Sequence, residues 1–110
     1  MKEFLIVFVT TSGREEAEKI AMQLINSGSA PCVNILPPCL SIYQWKGKVH
    51  KDEEVLMMIK SEEGEFKNVC QIVTAAHSYD VPEIIAVPLS QLSAKYRGYL
   101  EGYFDLHGPA

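Results

Sequence analysis

The sequence lacks several features that define whole classes of protein. It has no basic cluster: 10 Lys and Arg are scattered among 14 Asp and Glu, for a net charge of -4. A protein that binds by neutralising phosphates needs the opposite sign, concentrated in one patch, so nucleic acid is not an expected partner. There is no long hydrophobic run either. The apolar stretch Phe4–Val9 near the start falls far short of the ~20 residues of a membrane-spanning helix, and no small-residue cleavage site follows it. The expectation is a cytosolic protein that does not associate with membranes. Cysteine is sparse, with three residues, Cys32, Cys39 and Cys70, and no C-x-x-C pair. An odd count without that spacing argues against both a disulfide framework and a structural zinc knuckle, and predicts buried thiols. A Gly-rich phosphate cradle, an interdomain linker and a low-complexity tract are likewise missing. What remains is 110 residues and 12.3 kDa, predicting one domain over 1–110 with an ordinary core.

Within that length the hydrophobic pattern changes period several times. Phe4–Val9 is apolar on both alternating faces, as a central strand covered on both sides would be. Ser12-Gly13-Arg14-Glu15 has the form of a capping box. Ala17, Ile20, Ala21, Leu24 and Ile25 then recur on one helical face, until Asn26-Ser27-Gly28 supplies a stop. The segment from Ala30 to Trp45 reads as strand, but neither Pro37 nor Pro38 can donate to a ladder, so it is predicted to be bulged or at an edge there. Lys46-Gly47 marks a turn, and Val49 to Lys60 returns as a long strand. Ser61-Glu62-Glu63 opens a second helix with a stripe of Phe66, Val69, Cys70, Val73 and Ala76, weakened by Gly64. A strand over Val81 to Leu89 and a helix striped by Leu92, Tyr96, Tyr99, Leu100 and Tyr103 complete the chain. The order β-α-β-β-α-β with a final helix predicts an α+β fold, a ferredoxin-like split βαβ sandwich with a four-stranded antiparallel sheet, a long β-hairpin and an extra C-terminal helix.

The hairpin carries a prediction about assembly. At ~3.3 Å per residue, Val49–Lys60 spans ~40 Å, whereas a compact chain of this length is only ~34 Å across. Its residues Ile42, Tyr43, Trp45, Val49 and Val55–Ile59 are too apolar for a free ribbon in water, so another copy of the chain is expected to cover them.

Polar candidates gather around A-A-H-S-Y-D-V-P-E-I-I at 75–85. His77 falls at a helix end, where an imidazole can cap carbonyls or offer a lone pair to a metal. Glu83 begins an otherwise apolar strand and must be paired, ligated or near solvent; Lys60 is one partner, an ion shared with His77 is another. By strand parity Glu54 and Lys60 lie on one face, as a buried ion pair or as the lining of a polar pocket between subunits with Tyr79. Tyr43 and Trp45 flank the turn, either packing on a neighbouring subunit or walling a ligand cleft. Met57 and Met58 point to opposite faces and cannot chelate together.

The hairpin S-I-Y-Q-W-K-G-K, the run D-E-E-V-L-M-M-I-K, the bend H-S-Y-D-V-P-E-I-I, A-P-C-V-N at 30–34 and the helical E-E-A-E-K-I-A together resemble the CutA family of divalent-cation tolerance proteins, in one register from about Leu5 to Leu100. The resemblance implies a ferredoxin-like subunit in a tight homotrimer, without established catalytic activity, that binds copper or other divalent ions and serves tolerance to them. Two departures stand out. The family's His-Pro-Tyr is His77-Ser78-Tyr79 here, which removes one source of rigidity from the bend. Thr10 also stands where some members have cysteine, which removes a soft ligand. The expectation is therefore a non-enzymatic metal-binding homotrimer, with His77 and Glu83 as ligands, Tyr79, Lys60 and Glu54 around them, and Tyr43 and Trp45 at the trimer interface. The alternative is a signalling module resembling the trimeric PII proteins, with a small effector bound between subunits.

Overall fold

A computed structural model describes residues 2–107. Strand β1 (Phe4–Thr11) leads into helix α1 (Arg14–Asn26), strands β2 (Cys32–Ile35), β3 (Cys39–Trp45) and β4 (Lys48–Glu62), a single 3-10 turn (Glu63–Glu65), helix α2 (Phe66–Ala76), strand β5 (Ile84–Pro88) and helix α3 (Ala94–His107). The sheet order is β2-β4-β1-β5, with β3 paired to the other end of β4, and every pairing is antiparallel. This is the predicted α+β, split βαβ arrangement with a long hairpin and an extra helix.

Strand alternation fixes which side chains meet. Val7 and Val9 of β1 and Val55, Met57 and Ile59 of β4 point to one face, where Ala17, Ile20 and Leu24 of α1 and Val69 and Val73 of α2 close the core. The opposite face carries Ile6, Phe8, Leu56 and Met58, half-buried, and Ile85 and Val87, exposed, with no helix over them among the described residues. Helix α3 caps the end of the sheet instead. Leu100 and Phe104 bury against Phe4, and Arg97 lies 5.5 Å over the Phe4 ring.

Several boundaries differ from the sequence reading for local reasons. The span Ala30–Trp45 is two strands, because Leu36–Pro38 breaks the ladder where the prolines remove donors. Both pieces pair with β4, which is 15 residues long and holds five strands together rather than four. Residues Ser61 and Glu62 still belong to β4, so α2 starts only after the Glu63–Glu65 turn. The last strand is shorter than Val81–Leu89, since the bend continues through Glu83. In α3 the buried pair is Leu100 and Phe104, while Tyr96 and Tyr99 stay largely exposed. The cysteines are not buried: Cys39 is exposed and Cys32 and Cys70 are half-buried.

The hairpin closes through Lys46 and Gly47 at φ 51° and 78°, the two positive angles of a tight turn whose twist suits paired strands. Lys46 adopts its angle without the freedom of glycine. The paired ribbon stretches the molecule to 45 × 26 × 23 Å, so the hairpin projects from the body as its length predicts.

Candidate functional site

The bend after α2 is held by three side chains that the sequence places far apart. At His77 the backbone leaves the helix with ψ 144°, after the His77 N–H closes the last turn on Val73 O at 2.9 Å. The imidazole turns inward and is wholly buried. Its Nε2 lies 2.7 Å from the Thr10 carbonyl and its Nδ1 lies 3.0 Å from the Tyr79 N–H. These partners define one neutral tautomer, in which Nε2–H donates to the carbonyl and Nδ1 accepts from the amide. The ring thus ties β1 to the bend.

Glu16 of α1 secures the same bend. Its Oε1 accepts from the Ser12 N–H at 2.9 Å and the Ser12 hydroxyl at 3.1 Å, and its Oε2 accepts from the Ser78 N–H at 2.7 Å. The helix-start partner of Ser12 is therefore Glu16 rather than the Glu15 of the expected capping box. Partial burial alone would raise the Glu16 pKa, but the Ser12 and Ser78 donors outweigh it and hold the carboxyl at about 2.

Tyr79 passes the constraint on to the sheet. Its ring packs 4.7 Å from that of His77, and its hydroxyl donates to Glu54 Oε2 at 2.7 Å. Burial and then the adjacent Glu54 carboxylate push the phenol pKa well up, so it remains a neutral donor. Further along β4, Asp52 accepts from the Tyr43 hydroxyl, and that bond raises the Tyr43 pKa. The Tyr43 ring stacks on His50 at 5.3 Å.

Tyr79, Tyr43, Asp52 and Glu54 line one cleft of about 680 Å³ between the bend and the hairpin, with Asp52, Glu54, Asp80 and Glu83 as its charged residues and Tyr43, Trp45 and Tyr79 as its aromatic ones. Four acidic residues line it, and among the described residues no Lys or Arg does. They do not converge: among the described residues no group of three His, Cys, Asp or Glu side chains is placed to hold a metal ion.

Of the residues singled out in the sequence, Glu83, Glu54, Tyr79, Tyr43 and Trp45 are thus brought together. Two are not. His77 sits behind Tyr79 at the bend and is not among the residues lining the cleft, with its two ring nitrogens within hydrogen-bond distance of the Thr10 carbonyl and the Tyr79 N–H. Lys60 lies six residues beyond Glu54 on β4, ~20 Å along the strand; its Nζ is 4.0 Å from Cys32 Sγ, and among the described residues it pairs with neither Glu54 nor Glu83. Sequence reasoning missed Asp52, Asp80 and Glu16. Asp52 had a readable signal, since it shares the strand parity of Glu54. Glu16 had only its i,i+4 spacing from Ser12.

Comparison with known proteins agrees with this architecture. Residues 5–102 match the family model described as CutA1 divalent ion tolerance protein. A chloroplastic CutA protein of Arabidopsis thaliana is 40% identical over 97 residues, 88% of this chain and 53% of its own length. The chain spans about half the length of the plant and mammalian relatives it matches, but a divalent-cation tolerance protein CutA of Thermus thermophilus, 38% identical, is covered over 92% of its length. The crystal structure of CutA1 from Oryza sativa superposes with a TM-score of 0.88 at 38% identity, covering 92% of this chain and 93% of that one. Matched along nearly its whole length in sequence and in fold, the chain belongs to the CutA1 family of divalent ion tolerance proteins.

Proposed function

We propose that this protein is a non-enzymatic, cytosolic homotrimer that binds divalent cations, copper among them, at the carboxylate cleft. The observation that carries the reading is the cleft itself: four acidic residues, Glu83 among them, line one space with no basic side chain among the described residues. Such a space attracts cations by charge alone. Because no three candidate ligands converge among the described residues of one chain, water or a neighbouring subunit completes the coordination, and binding is weak in an isolated chain. His77 contributes by fixing the bend that presents Tyr79, Asp80 and Glu83.

The trimer is supported by the surface left bare. Leu40, Ile42 and Val49 on the hairpin are 61–68% exposed, and Ile85 and Val87 extend the apolar area across the uncovered face of the sheet. Tyr43 and Trp45 stand beside this area, where a second copy would meet them. A second reading, a PII-like module that holds a small effector, is favoured by one feature: the cleft falls within the ~300–1,000 Å³ of small-molecule sites and has aromatic walls.

Native mass spectrometry of the metal-free protein, titrated with copper and with zinc, tests the proposal. The expected spectrum is a trimer that takes up metal, with uptake reduced in Glu83→Gln. A folded monomer, or a trimer that takes up neither ion, overturns it.

A further inference from the structure

We propose that a second pocket, where the end of α1 meets the start of α2 and the last turn of α3, binds a small free molecule bearing a guanidinium group. Gly28 makes this junction possible. Its φ is 77°, and a Cβ there would stand 3.0 Å from His107 Cβ, so any other residue would be both strained and crowded. The Tyr103 hydroxyl secures the same contact by donating to the Ala30 carbonyl at 3.1 Å. The pocket so formed has a volume of about 290 Å³, and Ser27, Ser29, Glu65, Asn68, Gln71 and His107 supply its polar lining. It shares no residue with the carboxylate cleft, and α1 runs ~20 Å between Ser12 and this end. None of these residues belongs to the hairpin or to the bare sheet face where a second copy would sit.

The key group is Glu65, which is only 4% exposed. Its Oε1 accepts from Asn68 Nδ2 at a long 3.3 Å, and its Oε2 takes no hydrogen bond among the described residues. Its side chain does not cap α2, and it forms no ion pair among the described residues. A carboxylate so far out of water is costly until a cation with N–H donors arrives. The surroundings have the same sign. Helix α1 presents its negative end here with no basic residue in its last turn, and among the described residues no Lys or Arg lines the pocket. Asn68 and Gln71, one turn apart on α2, add amide oxygens, and Ser27 and Ser29 add hydroxyls. A metal ion would find a single carboxylate and, among the described residues, no group of three His, Cys, Asp or Glu to hold it. A guanidinium instead presents a planar fork of donors to both oxygens of one carboxylate and stays charged at any physiological pH. The volume lies just under the range of drug-sized ligands, which suits this group on a short chain.

Ile72 also lines the pocket, so its methyl signal reports occupancy, while Ile42 in the carboxylate cleft and Ile85 on the bare sheet face serve as internal controls. Methyl-detected NMR of the assembled, isoleucine-labelled protein follows titration with methylguanidinium chloride. Parallel titrations use methylurea, which has nearly the same planar shape without the charge, and potassium chloride at matched ionic strength. The expected result is a saturable shift of Ile72 alone, half-complete at millimolar methylguanidinium and at least ~10-fold below the concentration at which methylurea acts. Glu65→Gln keeps the shape of the side chain and should weaken binding about tenfold or more. Gln71→Leu, at an exposed position, should weaken it about twofold or more, and decides the matter should Glu65→Gln fail to fold. The proposal is overturned by coincident methylguanidinium and methylurea curves, by an equal response to potassium, by shifts that appear at Ile42 instead of Ile72, or by binding that neither substitution weakens.

Discussion

Glu16 shows how a single carboxylate can govern the acid limit of this protein. Its folded-state pKa of about 2 lies below the ordinary 4.5, so the folded chain binds the proton less readily than the unfolded one. The resulting stabilisation is complete above about pH 4.5 and is lost as pH falls through about 2. Glu16→Gln should therefore melt below the parent at neutral pH, with a gap that narrows under pH 4.5 and closes near 2; thermal melts across that range would show a constant gap if the carboxylate charge were not responsible. His77 makes a different prediction. Truncation to alanine leaves the Thr10 carbonyl and the Tyr79 amide without their partner, at about 1–3 kcal/mol for each group left unsatisfied. Denaturant titration of His77→Ala should show that loss, and copper affinity should change mainly through the displaced bend. A variant of parental stability that binds no copper would instead make His77 a ligand.

Among the elements, the hairpin turn and the last helix can be probed separately. Lys46 at φ 51° occupies a region that costs a non-glycine residue about 1–2 kcal/mol, and asparagine tolerates it better. Lys46→Asn should raise the melting temperature and Gly47→Val should lower it, because the branched side chain is forced to φ 78°. If both changes were neutral, the tip would contribute nothing to folding stability. Helix α3 depends on few contacts, chiefly Leu100 and Phe104 against Phe4. Phe104→Ala should cost about 3–5 kcal/mol and expose the amides of α3 to hydrogen exchange before those of the central sheet.

For the whole molecule, the decisive quantity is the apolar surface that one copy cannot cover. A charge placed within it should be tolerated by an isolated chain and disruptive to an assembly. Ile42→Asp and Val87→Asp stand at positions 61% and 43% exposed, so their cost in a monomer would be small. Sedimentation velocity is expected to show the parent at three times the 12.3 kDa chain mass and these variants shifted toward lighter species. An unchanged sedimentation coefficient in both would place the subunit contacts elsewhere.

The sequence alone determined whatever depends on neighbours along the chain. The element order follows from hydrophobic period, the break before β3 from Pro37 and Pro38, the projecting ribbon from its length, and the common face of Glu54 and Lys60 from strand parity. Even there, parity could not tell that Lys60 lies too far along β4 to reach the cleft. The tertiary structure alone decided which groups meet within the site. His77 and Glu83 are six positions apart, close enough to suggest a shared ion, yet the groups that claim the imidazole include a carbonyl 67 residues away. The carboxylate bracing Ser78 likewise comes from 62 residues away, on α1. Which lone pair stays free is set by such distant donors and acceptors, and local spacing carries no information about them.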